Sequence, residues 1–550
     1  MPLLRLLNES VGMLQRVPDI AAWLQVETEA ELLSAAASLA LCGMSQVGDG
    51  TGDNSMSSRL NGLRAAIRDG GDPLGDELIR LRTPESRRGQ GAVYTPLDIV
   101  RAMVAWAEAS PAAPPARVVD PGSGSGRFLM QAALSFPDAQ LVAAETDPLA
   151  IALLRANAAV LGCGDRLSVH ADDYRFLRLR RIDSPTLFIG NPPYIRHHDL
   201  GATAKTWFSE TAKRFDIRAS KLAGSHIHFF LKTRELGRPG DYGIFITSSE
   251  WLDVNYGATL RRLLADGLGG TELHILDPSL RPFEGAMTTA AITCFHMGQR
   301  STNLSIRAVP SMEALRPLSG GKLVSWTVAE NTTRWSTLLR TLPEPPADSV
   351  ELGEVFRVHR GQVTGSNEIW IAGSHASALP GRFLVPTLTR ARELLSAGDS
   401  LEDTDQLRRV VDIPVDLSAL SDTEFENVDQ FLKWARRYGA DKTYVARHRR
   451  AWWSVGLREP APILCTYMAR RAPAFVRNKA MARHLNIAHG LYPRGPLAEI
   501  ELEAILEYLR GAVRVDQGRT YAGGLVKFEP GEVSRIRIPA SILRAAPVLP

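Results

Sequence analysis

Apolar, β-rich runs alternate with helical patterns between about Val118 and Phe295, and this alternation limits the possible folds more than any other feature of the chain. The clearest runs are Val118-Val119, Leu141-Val142-Ala143-Ala144, Leu187-Phe188-Ile189, Ile244-Phe245-Ile246 and Ala291-Ile292-Thr293-Cys294-Phe295. Strands separated by helices pair in parallel, because each crossover helix carries the chain back to the same edge of the sheet. The sequence therefore predicts an α/β fold with a mostly parallel, doubly wound sheet.

Length and composition place the chain among ordinary globular proteins. Its 550 residues suggest two to four domains, and 45% hydrophobic with 23% charged residues excludes disordered and fibrous classes. The four cysteines form no Cys-x-x-Cys pair, which argues against a disulfide scaffold or a zinc ribbon and fits a reducing cytosol. The apolar run Leu32 to Met44 is too short to span a bilayer and follows an acidic stretch, so we expect an intracellular protein.

A glycine-rich turn follows the first of these apolar runs. Residues 117–129 read as a strand, a tight turn with Gly122, Gly124 and Gly126 at alternate positions, and a helix. Glu145 ends the next strand, where a carboxylate can bind a ribose diol, and Asp172 ends a third run. The turn alone would also suit NAD, a nucleotide or a simple chain reversal. Together with the acid at the next strand end, it predicts a site for a nucleoside cofactor.

The most informative stretch is Asn191-Pro192-Pro193-Tyr194, which follows the apolar run Leu187-Phe188-Ile189. The two prolines fix the backbone and remove two donors, so their carbonyls are rigidly aimed acceptors. Asn191 adds a side-chain carbonyl, and two acceptors near one point suit an exocyclic NH2 group. Tyr194 offers a flat face for a planar substrate. A proline-rich turn without such a role is the simpler alternative, and this position favours the functional interpretation.

With these motifs the chain resembles the gamma-class N6-adenine DNA methyltransferases of type II restriction–modification systems, a group that includes the Taq methyltransferase. The resemblance covers roughly residues 87–300 and is weaker toward the C-terminus. Gly89-Gln90-Gly91-Ala92-Val93-Tyr94-Thr95-Pro96 is similar to the family motif that precedes the glycine turn, and residues 243–252 are similar to its later sheet strand. The chain departs from the family at Gly122-Ser123, where Ala-Cys is usual, and at Thr186, near which an Asp is common.

The resemblance implies a set of site residues. The catalytic set is Asn191, Pro192, Tyr194 and Phe283, with Phe283 as the second aromatic wall of the target-base pocket before the Thr288–Phe295 strand. The cofactor-binding set is Tyr94, Thr95, Asp120, Gly122, Gly124, Gly126, Glu145 and Asp172. The choice of Asp172 over its neighbour Asp173 depends on the strand register.

The resemblance also implies the reaction. We expect a site-specific DNA adenine-N6 methyltransferase that transfers the methyl group of S-adenosylmethionine to a flipped-out adenine. It would protect host DNA from a cognate restriction endonuclease. We expect no metal, because the pairs His197-His198 and His226/His228 lack a third ligand at metal-binding spacing.

Basic residues are concentrated in the C-terminal third. Residues 430–494 hold 14 basic and 2 acidic side chains, although the whole chain has a net charge of only +4. Charge alone would fit a solvated helix face, whereas the family context favours a surface that binds DNA phosphates and base edges. The candidate DNA-binding residues are Arg360, Arg447, Arg449, Arg450, Trp452, Arg470, Arg471 and Lys479.

The predicted organisation has three parts: a helical N-terminal extension (1–86), a Rossmann-like S-adenosylmethionine-dependent catalytic domain (87–310), and a mixed α/β target-recognition domain (311–550). The proline-rich stretch 343–346 is typical of a linker or a boundary. The first lysine is Lys205, so an Asp…Glu-x-Lys nuclease core has no candidate lysine upstream, and we expect the partner nuclease to be a separate chain. We expect a monomer, bound to double-stranded DNA, in the bacterial cytoplasm, and no membrane association.

Two other classes of function stay open at this point. A protein-glutamine methyltransferase also binds a planar NH2 group at an Asn-Pro-Pro-Tyr motif, but such enzymes are small and lack an Arg/Trp-rich C-terminal region; an RNA adenine is a similar alternative substrate. The second class is a catalytically inactive DNA-binding specificity protein. The intact Gly122, Glu145, Asn191 and Tyr194 argue against it.

Overall fold

A computed structural model describes residues 27–44, 54–83, 86, 91, 93–280, 283, 289–299, 301–339, 346, 348–469, 471–521 and 525–544. The chain divides into two compact units, Met1–Leu342 and Pro343–Pro550. Within the described residues, no helix combines the length and the apolar character that a membrane span needs.

The first unit alternates helices and strands over most of its length. Its helices are α1 (Glu29–Met44), α2 (Asn54–Arg68), α3 (Pro73–Leu81), α4 (Leu97–Glu108), α5 (Arg127–Ser135), α6 (Pro148–Val160), α7 (Ala202–Arg214), α8 (Ser225–Leu236), α9 (Ala258–Ala265) and α10 (Trp326–Asn331). Its strands are β1 (Arg117–Pro121), β2 (Gln140–Ala144), β3 (Leu167–His170), β4 (Thr186–Gly190), β5 (Tyr242–Ser248), β6 (Gly270–Leu276), β7 (Ala290–His296), β8 (Asn303–Val309) and β9 (Lys322–Ser325).

These strands form one sheet in the order β3-β2-β1-β4-β5-β7-β6-β8-β9 among the described residues. The strands from β3 to β5 pair in parallel, and β7 pairs antiparallel with both β5 and β6. The predicted doubly wound α/β fold is confirmed. From β1 the chain proceeds to β2 and β3 on one side and later to β4 and β5 on the other, so a switch point lies between β1 and β4.

Local sequence explains the turns that follow β1 and β2. Asp147 caps α6 by accepting a hydrogen bond from the Leu149 amide at 3.0 Å, and Pro148 supplies the preset φ of a first helical residue. Gly126, at φ 94°, precedes α5. A Cβ on Gly126 would lie 2.4 Å from Leu154 Cδ1, so the turn requires glycine there both for its dihedral and for the close approach of α6.

The described part of the N-terminal extension is helical and packs against α6. Buried apolar residues of α1 to α3 form one cluster with those of α6: Leu32, Ala35, Ala36, Leu39, Ile67, Leu74, Leu78, Leu149, Ala150, Leu153, Ala156 and Val160. The cluster is a stable packing layer, since burial of each of its Leu, Ile or Val side chains contributes about 1.5–3 kcal/mol.

The division between the units lies later than residues 310/311, where the sequence had suggested a boundary. The sheet continues beyond residue 310 because β9 pairs antiparallel with β8 and α10 packs beside it. The observed division instead coincides with the start of the proline-rich stretch 343–346.

The second unit is mixed α/β. Its helices are α11 (Leu352–Val355), α12 (Asn367–Trp370), α13 (Ala391–Ser396), α14 (Asp422–Arg437), α15 (Tyr444–Arg447), α16 (Glu499–Ala512) and α17 (Pro530–Ser534). Its strands are β10 (Ser349–Glu351), β11 (Phe356–Arg360), β12 (Leu384–Leu388), β13 (Ser400–Leu401), β14 (Arg409–Val411), β15 (Ile463–Thr466), β16 (Met468–Ala469), β17 (Phe475–Asn478), β18 (Arg483–His484), β19 (Ala488–Pro493), β20 (Arg519–Tyr521), β21 (Leu525–Lys527) and β22 (Arg537–Pro539). Its largest sheet, β11-β19-β15-β17-β13, packs one face on α16.

Candidate active site

The glycine turn after β1 has the backbone conformation that its composition predicts. Gly122, Gly124 and Gly126 have φ values of 94°, 55° and 94°. A Cβ on Gly122 would lie 3.3 Å from Pro193 Cδ, and one on Gly124 would lie 3.4 Å from the Tyr94 ring. The turn is therefore held in left-handed dihedrals between the Asn-Pro-Pro-Tyr segment and Tyr94, and the missing Cβ atoms leave its backbone exposed to a ligand.

Glu145 lies at the end of β2 and closes this turn. Its Oε2 accepts a hydrogen bond from the Gly124 amide at 2.8 Å, and its Oε1 accepts from the amides of Thr146 and Asp147 at 2.8 and 2.9 Å. A carboxylate has about four acceptor sites, so one remains available. Sequence reasoning predicted a ligand-binding role for Glu145 and missed that it also fixes the turn.

The two neighbouring acids after β3 have different surroundings. Asp173 accepts hydrogen bonds from the Arg175 amide and from Arg175 Nε, both at 2.9 Å, and forms an ion pair with the same guanidinium. Asp172 is exposed and lies at the wall of the cavity described below. Its one hydrogen bond among the described residues is from the Asp173 amide at 2.6 Å. Asp172 is thus the acid with free acceptor capacity.

Asn191 is buried at the end of β4, and its side-chain amide has a fixed orientation. Its Nδ2 donates to the Val93 carbonyl and to Thr95 Oγ1, both at 3.1 Å. Its Oδ1 is buried and has no hydrogen-bond partner in the described part of the chain. Because both donors are used on one side, the carbonyl oxygen is the atom left to meet a ligand.

The rest of the turn is fastened by its neighbours. The Tyr194 amide donates to the Gly91 carbonyl at 3.0 Å. At the start of α8, Ser225 Oγ donates to the Pro193 carbonyl and accepts from the Ile195 amide at 2.7 Å. Sequence reasoning missed Ser225, because nothing in its local sequence indicates a contact with residues 30 positions earlier.

Tyr194 and Phe283 lie close together, as the resemblance implied. Their ring centroids are 6.4 Å apart with planes at 54°, and the His226 ring is 5.9 Å from Tyr194. Burial raises the pKa of the Tyr194 phenol well above its ordinary value. Phe283 is only 2% exposed and belongs to the core beside α4. Residues 281, 282 and 284–288, which include Thr288, lie outside the described residues.

A cavity of about 150 Å³ opens where these elements meet. Seven of the predicted site residues line it: Tyr94, Thr95, Gly122, Gly124, Glu145, Asp172 and Asn191. The structure does not bring the others to its wall: Asp120, Gly126, Pro192, Tyr194 and Phe283. Gly126 lies behind the turn against Leu154, and Asp120 lies beside Gly190. Pro192 and Tyr194 belong to the Asn-Pro-Pro-Tyr segment, and Phe283 lies beside Tyr194.

Asp120 is fully buried, and neither of its carboxyl oxygens has a hydrogen-bond partner among the described residues. A Cβ on Gly190 would lie 2.4 Å from Asp120 Oδ1, which places the carboxyl between the ends of β1 and β4. Burial, together with the nearby Glu145 carboxylate, raises the pKa of Asp120 well above its ordinary value. Asp120 thus lies beneath the cavity rather than at its wall.

The structure adds residues from the N-terminal helices to the site. Asp72 accepts a hydrogen bond from Ser125 of the glycine turn, and Arg82 lines the cavity. Sequence reasoning missed Asp72, because no local signal shows that its carboxylate meets a turn 53 residues later.

The candidate DNA-binding residues of the second unit fall into three groups. Arg447, Arg450 and Arg471 are exposed, and within the described residues they form no ion pair. Arg360 and Lys479 are paired with Glu529 and Glu402. Arg449 and Trp452 are half-buried: Arg449 donates to the Val363 carbonyl at 2.6 Å, and Trp452 packs on Trp370 beneath Arg436. Arg470 lies outside the described residues.

Several buried or half-buried side chains could act as metal ligands. His226 and His228 are buried, and the His228 ring stacks on Phe208 with centroids 4.1 Å apart. Glu272, His274 and Cys294 have ligand atoms within 4.8 Å of one another on β6 and β7. Glu272 already accepts a hydrogen bond from Trp106 Nε1 at 2.9 Å and lies 3.3 Å from His274.

The strand order and the motifs at the switch point are those of a Rossmann-like methyltransferase fold. The type IIL restriction-modification enzyme MmeI, solved in complex with DNA, superposes with a TM-score of 0.55 at 11% identity, covering 91% of this chain and 74% of that one. At this identity the likeness shows the fold alone.

Sequence comparison gives the family. Residues 186–276 match the Eco57I restriction-modification methylase family, and residues 325–548 match the C-terminal domain of type II methyltransferase M.Eco57I. Type II methyltransferase M.XamI of Xanthomonas campestris pv. amaranthicola is 51% identical over 469 residues, 85% of this chain and 87% of M.XamI. Type II methyltransferase M.AccI of Acinetobacter calcoaceticus is 22% identical over 368 residues, 63% of this chain and 67% of M.AccI. The chain belongs to the type II methyltransferases of restriction–modification systems.

The buried histidines predict a pH-dependent stability. Burial lowers the pKa of His226 to about 4, and burial with the nearby Arg175 lowers that of His228 to about 3. Between pH 6.5 and pH 5 the unfolded chain therefore gains protons that the folded chain does not bind. The free energy of unfolding should fall by about 1.5 kcal/mol per histidine over this range.

Denaturant unfolding of the first unit at pH 6.5 and pH 5 measures this effect. Because other groups also titrate, the test is the difference between wild type and the variant His228→Gln. The variant should lose about 1.5 kcal/mol of the pH dependence. An identical pH dependence in the two proteins would contradict the assignment of a neutral, buried imidazole at His228.

Proposed function

We propose that the chain is a site-specific DNA adenine-N6 methyltransferase, which uses S-adenosylmethionine and protects host DNA from a cognate restriction endonuclease carried on a separate chain. The observation that carries this proposal is the orientation of Asn191, whose Nδ2 is occupied and whose buried Oδ1 is left as an acceptor.

An exocyclic amino group fits this arrangement. Adenine N6 carries two N–H donors, and Asn191 Oδ1 with the Pro192 carbonyl would supply two acceptors for them. Accepting both hydrogens draws the nitrogen toward tetrahedral geometry and makes its lone pair available. A hydroxyl would leave one of these acceptors unsatisfied and a ring carbon would leave both, and an unpaired buried acceptor costs about 1–3 kcal/mol.

The aromatic pair beside Asn191 suits a flipped base after a local opening. A planar base between two rings needs about 7 Å from plane to plane, since each stacking contact takes about 3.5 Å. The ring centroids of Tyr194 and Phe283 are only 6.4 Å apart, which is too short for that, and the two rings are tilted rather than parallel. We therefore infer that one ring moves when the base enters. Stacking of about 1–3 kcal/mol per contact would offset part of the cost of flipping.

The cavity fits a nucleoside cofactor by the chemistry of its donors and acceptors. The left-handed turn at Gly122 and Gly124 forms a cradle that side chains would fill. Glu145 retains one acceptor site for a ribose hydroxyl, and the exposed Asp172 carboxylate can accept from an adenine amino group. Bound S-adenosylmethionine supplies an electrophilic methyl group. Asn191 and Pro192 would hold the acceptor nitrogen next to it, so catalysis depends mainly on positioning.

We assign DNA binding to the second unit. MmeI, which has the same fold, was solved in complex with DNA, and residues 430–494 have a large excess of positive charge. Three exposed cations lie close together in sequence here, Lys442, Arg447 and Arg450, next to Tyr444, which is 78% exposed. Within the described residues these cations form no ion pair, and such cations beside an exposed ring are suited to phosphates and unstacked bases.

The first prediction from the proposed function tests Asn191 directly. Asn191→Ala should abolish transfer of labelled methyl groups from S-adenosylmethionine to DNA, because it removes the acceptor, and should leave cofactor affinity nearly unchanged. Long-read sequencing of DNA from a host that expresses wild type should show N6-methyladenine at one recurrent site. As a control, Asn255→Ala changes an exposed asparagine of the same unit and should keep full activity. Wild-type turnover by Asn191→Ala would refute the proposal.

The second prediction separates the hydroxyl of Thr95 from its shape. Thr95→Val keeps the shape but removes the acceptor that orients Asn191, whereas Thr95→Ser keeps the hydroxyl. The single-turnover rate should fall about 10- to 100-fold in Thr95→Val and at most a few-fold in Thr95→Ser. Equal rates in the two variants would show that the hydroxyl does not orient Asn191.

The third prediction compares unpaired with paired cations. Arg447→Ala with Arg450→Ala should weaken DNA binding and reduce the slope of log affinity against log salt by about one for each phosphate that the protein no longer neutralises. Lys479→Ala, which removes a cation already paired with Glu402, is the matched control and should change both quantities little. The opposite ranking in a salt-dependent binding titration would move the DNA surface away from residues 442–450.

A further inference from the structure

The carboxylate of Asp72 is buried and fully hydrogen-bonded. Its Oδ1 accepts from the Gly75 amide at 2.9 Å and from Asn157 Nδ2 at 3.0 Å. Its Oδ2 accepts from Ser125 Oγ at 2.5 Å and from Arg127 Nε at 2.8 Å. Four donors occupy about four acceptor sites, and the donors come from α3, the glycine turn, α5 and α6.

This cluster continues to the catalytic asparagine. Arg127 donates from a terminal nitrogen to the Thr95 carbonyl at 3.1 Å. Thr95 in turn accepts the hydrogen bond from Asn191 Nδ2 through its hydroxyl. A continuous series of polar contacts therefore runs from Asp72 through Arg127 and Thr95 to Asn191, and Asp72 also holds Ser125 inside the cofactor turn.

A second contact connects the same helices to the cavity. Arg82, just after α3, donates to Glu29 of α1 at 2.7 Å and forms an ion pair with Asp147. Asp147 lies two residues after Glu145, and its amide donates to Glu145 Oε1. Charged side chains thus connect the N-terminal helices to two walls of the cavity. Asp72 contacts the glycine turn, and Arg82 contacts Asp147 next to Glu145.

We propose that Asp72 is a positioning residue for the reaction: its carboxylate sets the glycine turn for the cofactor and, through Arg127 and Thr95, the amide plane of Asn191 for the target amino group. This inference depends on the proposed function for the identity of the cofactor and of the acceptor. It gives the N-terminal helices a role in the active site that their packing on α6 alone would not require.

The negative charge and both oxygens are needed for this role. An asparagine at position 72 would present one NH2 group where the carboxylate now accepts two hydrogen bonds. That NH2 group would face either Ser125 and Arg127 or Gly75 and Asn157, all of which are donors there. The turn or the helix start must then shift, and Arg127 loses the buried one of its two carboxylate partners.

The test uses Asp72→Asn with Asp76→Asn as a matched control. Asp76 lies one helical turn later and pairs with the same Arg127, but its side chain is 64% exposed. The Kd for S-adenosylhomocysteine should rise about tenfold in Asp72→Asn, and the single-turnover rate constant at saturating cofactor should fall about 10- to 100-fold. Asp76→Asn should change neither by more than about twofold, since exposed ion pairs contribute little.

The readouts separate positioning from stability. In a single-turnover experiment the amplitude reports the fraction of folded enzyme, whereas the rate constant reports the alignment of the folded enzyme. A reduced amplitude with wild-type Kd and rate constant would overturn the inference. Hydrogen exchange of the amides of residues 122–126 should also be faster in Asp72→Asn than in Asp76→Asn.

A second variant covers a folding failure. If Asp72→Asn is insoluble, Ser125→Ala removes only the hydroxyl that binds Asp72, and it should raise the Kd for S-adenosylhomocysteine several-fold and speed amide exchange in the turn. Wild-type values for both would overturn the inference. Neither the Kd for S-adenosylhomocysteine nor amide exchange needs a methyl acceptor. A chain that methylates no adenine would therefore refute the proposed function, and the binding titration would still decide the role of Asp72.

Discussion

The parallel pairing of β1 with β4 is the contact on which the site depends. Val118 pairs with Leu187 in this register, so both strands reach the same edge of the sheet and continue into turns there. One turn carries the glycines and the other carries Asn191. The Gly122 and Pro193 segments approach so closely that a Cβ on Gly122 would lie 3.3 Å from the Pro193 ring. A register shift between these strands would separate the cofactor turn from the proposed acceptor site.

Hydrogen bonding at this edge leaves little freedom to the reactive groups. Both amide hydrogens of Asn191 are used, three acceptor positions of Glu145 are used, and Asp72 is saturated. Catalysis by positioning requires groups that are already oriented when the reactants arrive, because orienting them during the reaction would add an entropic cost. The Tyr194–Phe283 pair differs from these groups, because its rings would have to separate to admit the proposed target base.

Much of this architecture could be predicted from local sequence, and the failures share a physical reason. Strand runs, the glycine turn and Asn191-Pro192-Pro193-Tyr194 are contiguous, so their composition determines their local structure. The roles of Asp72 and Ser225 could not be predicted, because their hydrogen-bond partners are 53 and 32 residues away in the sequence. Asp120 matched a motif, yet sequence could not reveal that its side chain points beneath the cavity. The division at 342/343 differs from the predicted boundary at 310/311, because the pairing of the short strand β9 with β8 cannot be read from local sequence.

Charge in the second unit illustrates the same limit. The excess of positive residues between 430 and 494 is a property of the sequence, but the capacity to bind a phosphate belongs to individual side chains. Arg360 and Lys479 are neutralised by carboxylates that are distant in sequence, and Trp452 is used in packing on Trp370. A cation that must first leave a carboxylate offers less to DNA than one that exchanges only water and counterions. Arg447, Arg450 and Arg471 are exposed and form no ion pair within the described residues, so they indicate the proposed DNA-binding surface better than the total charge of the region does.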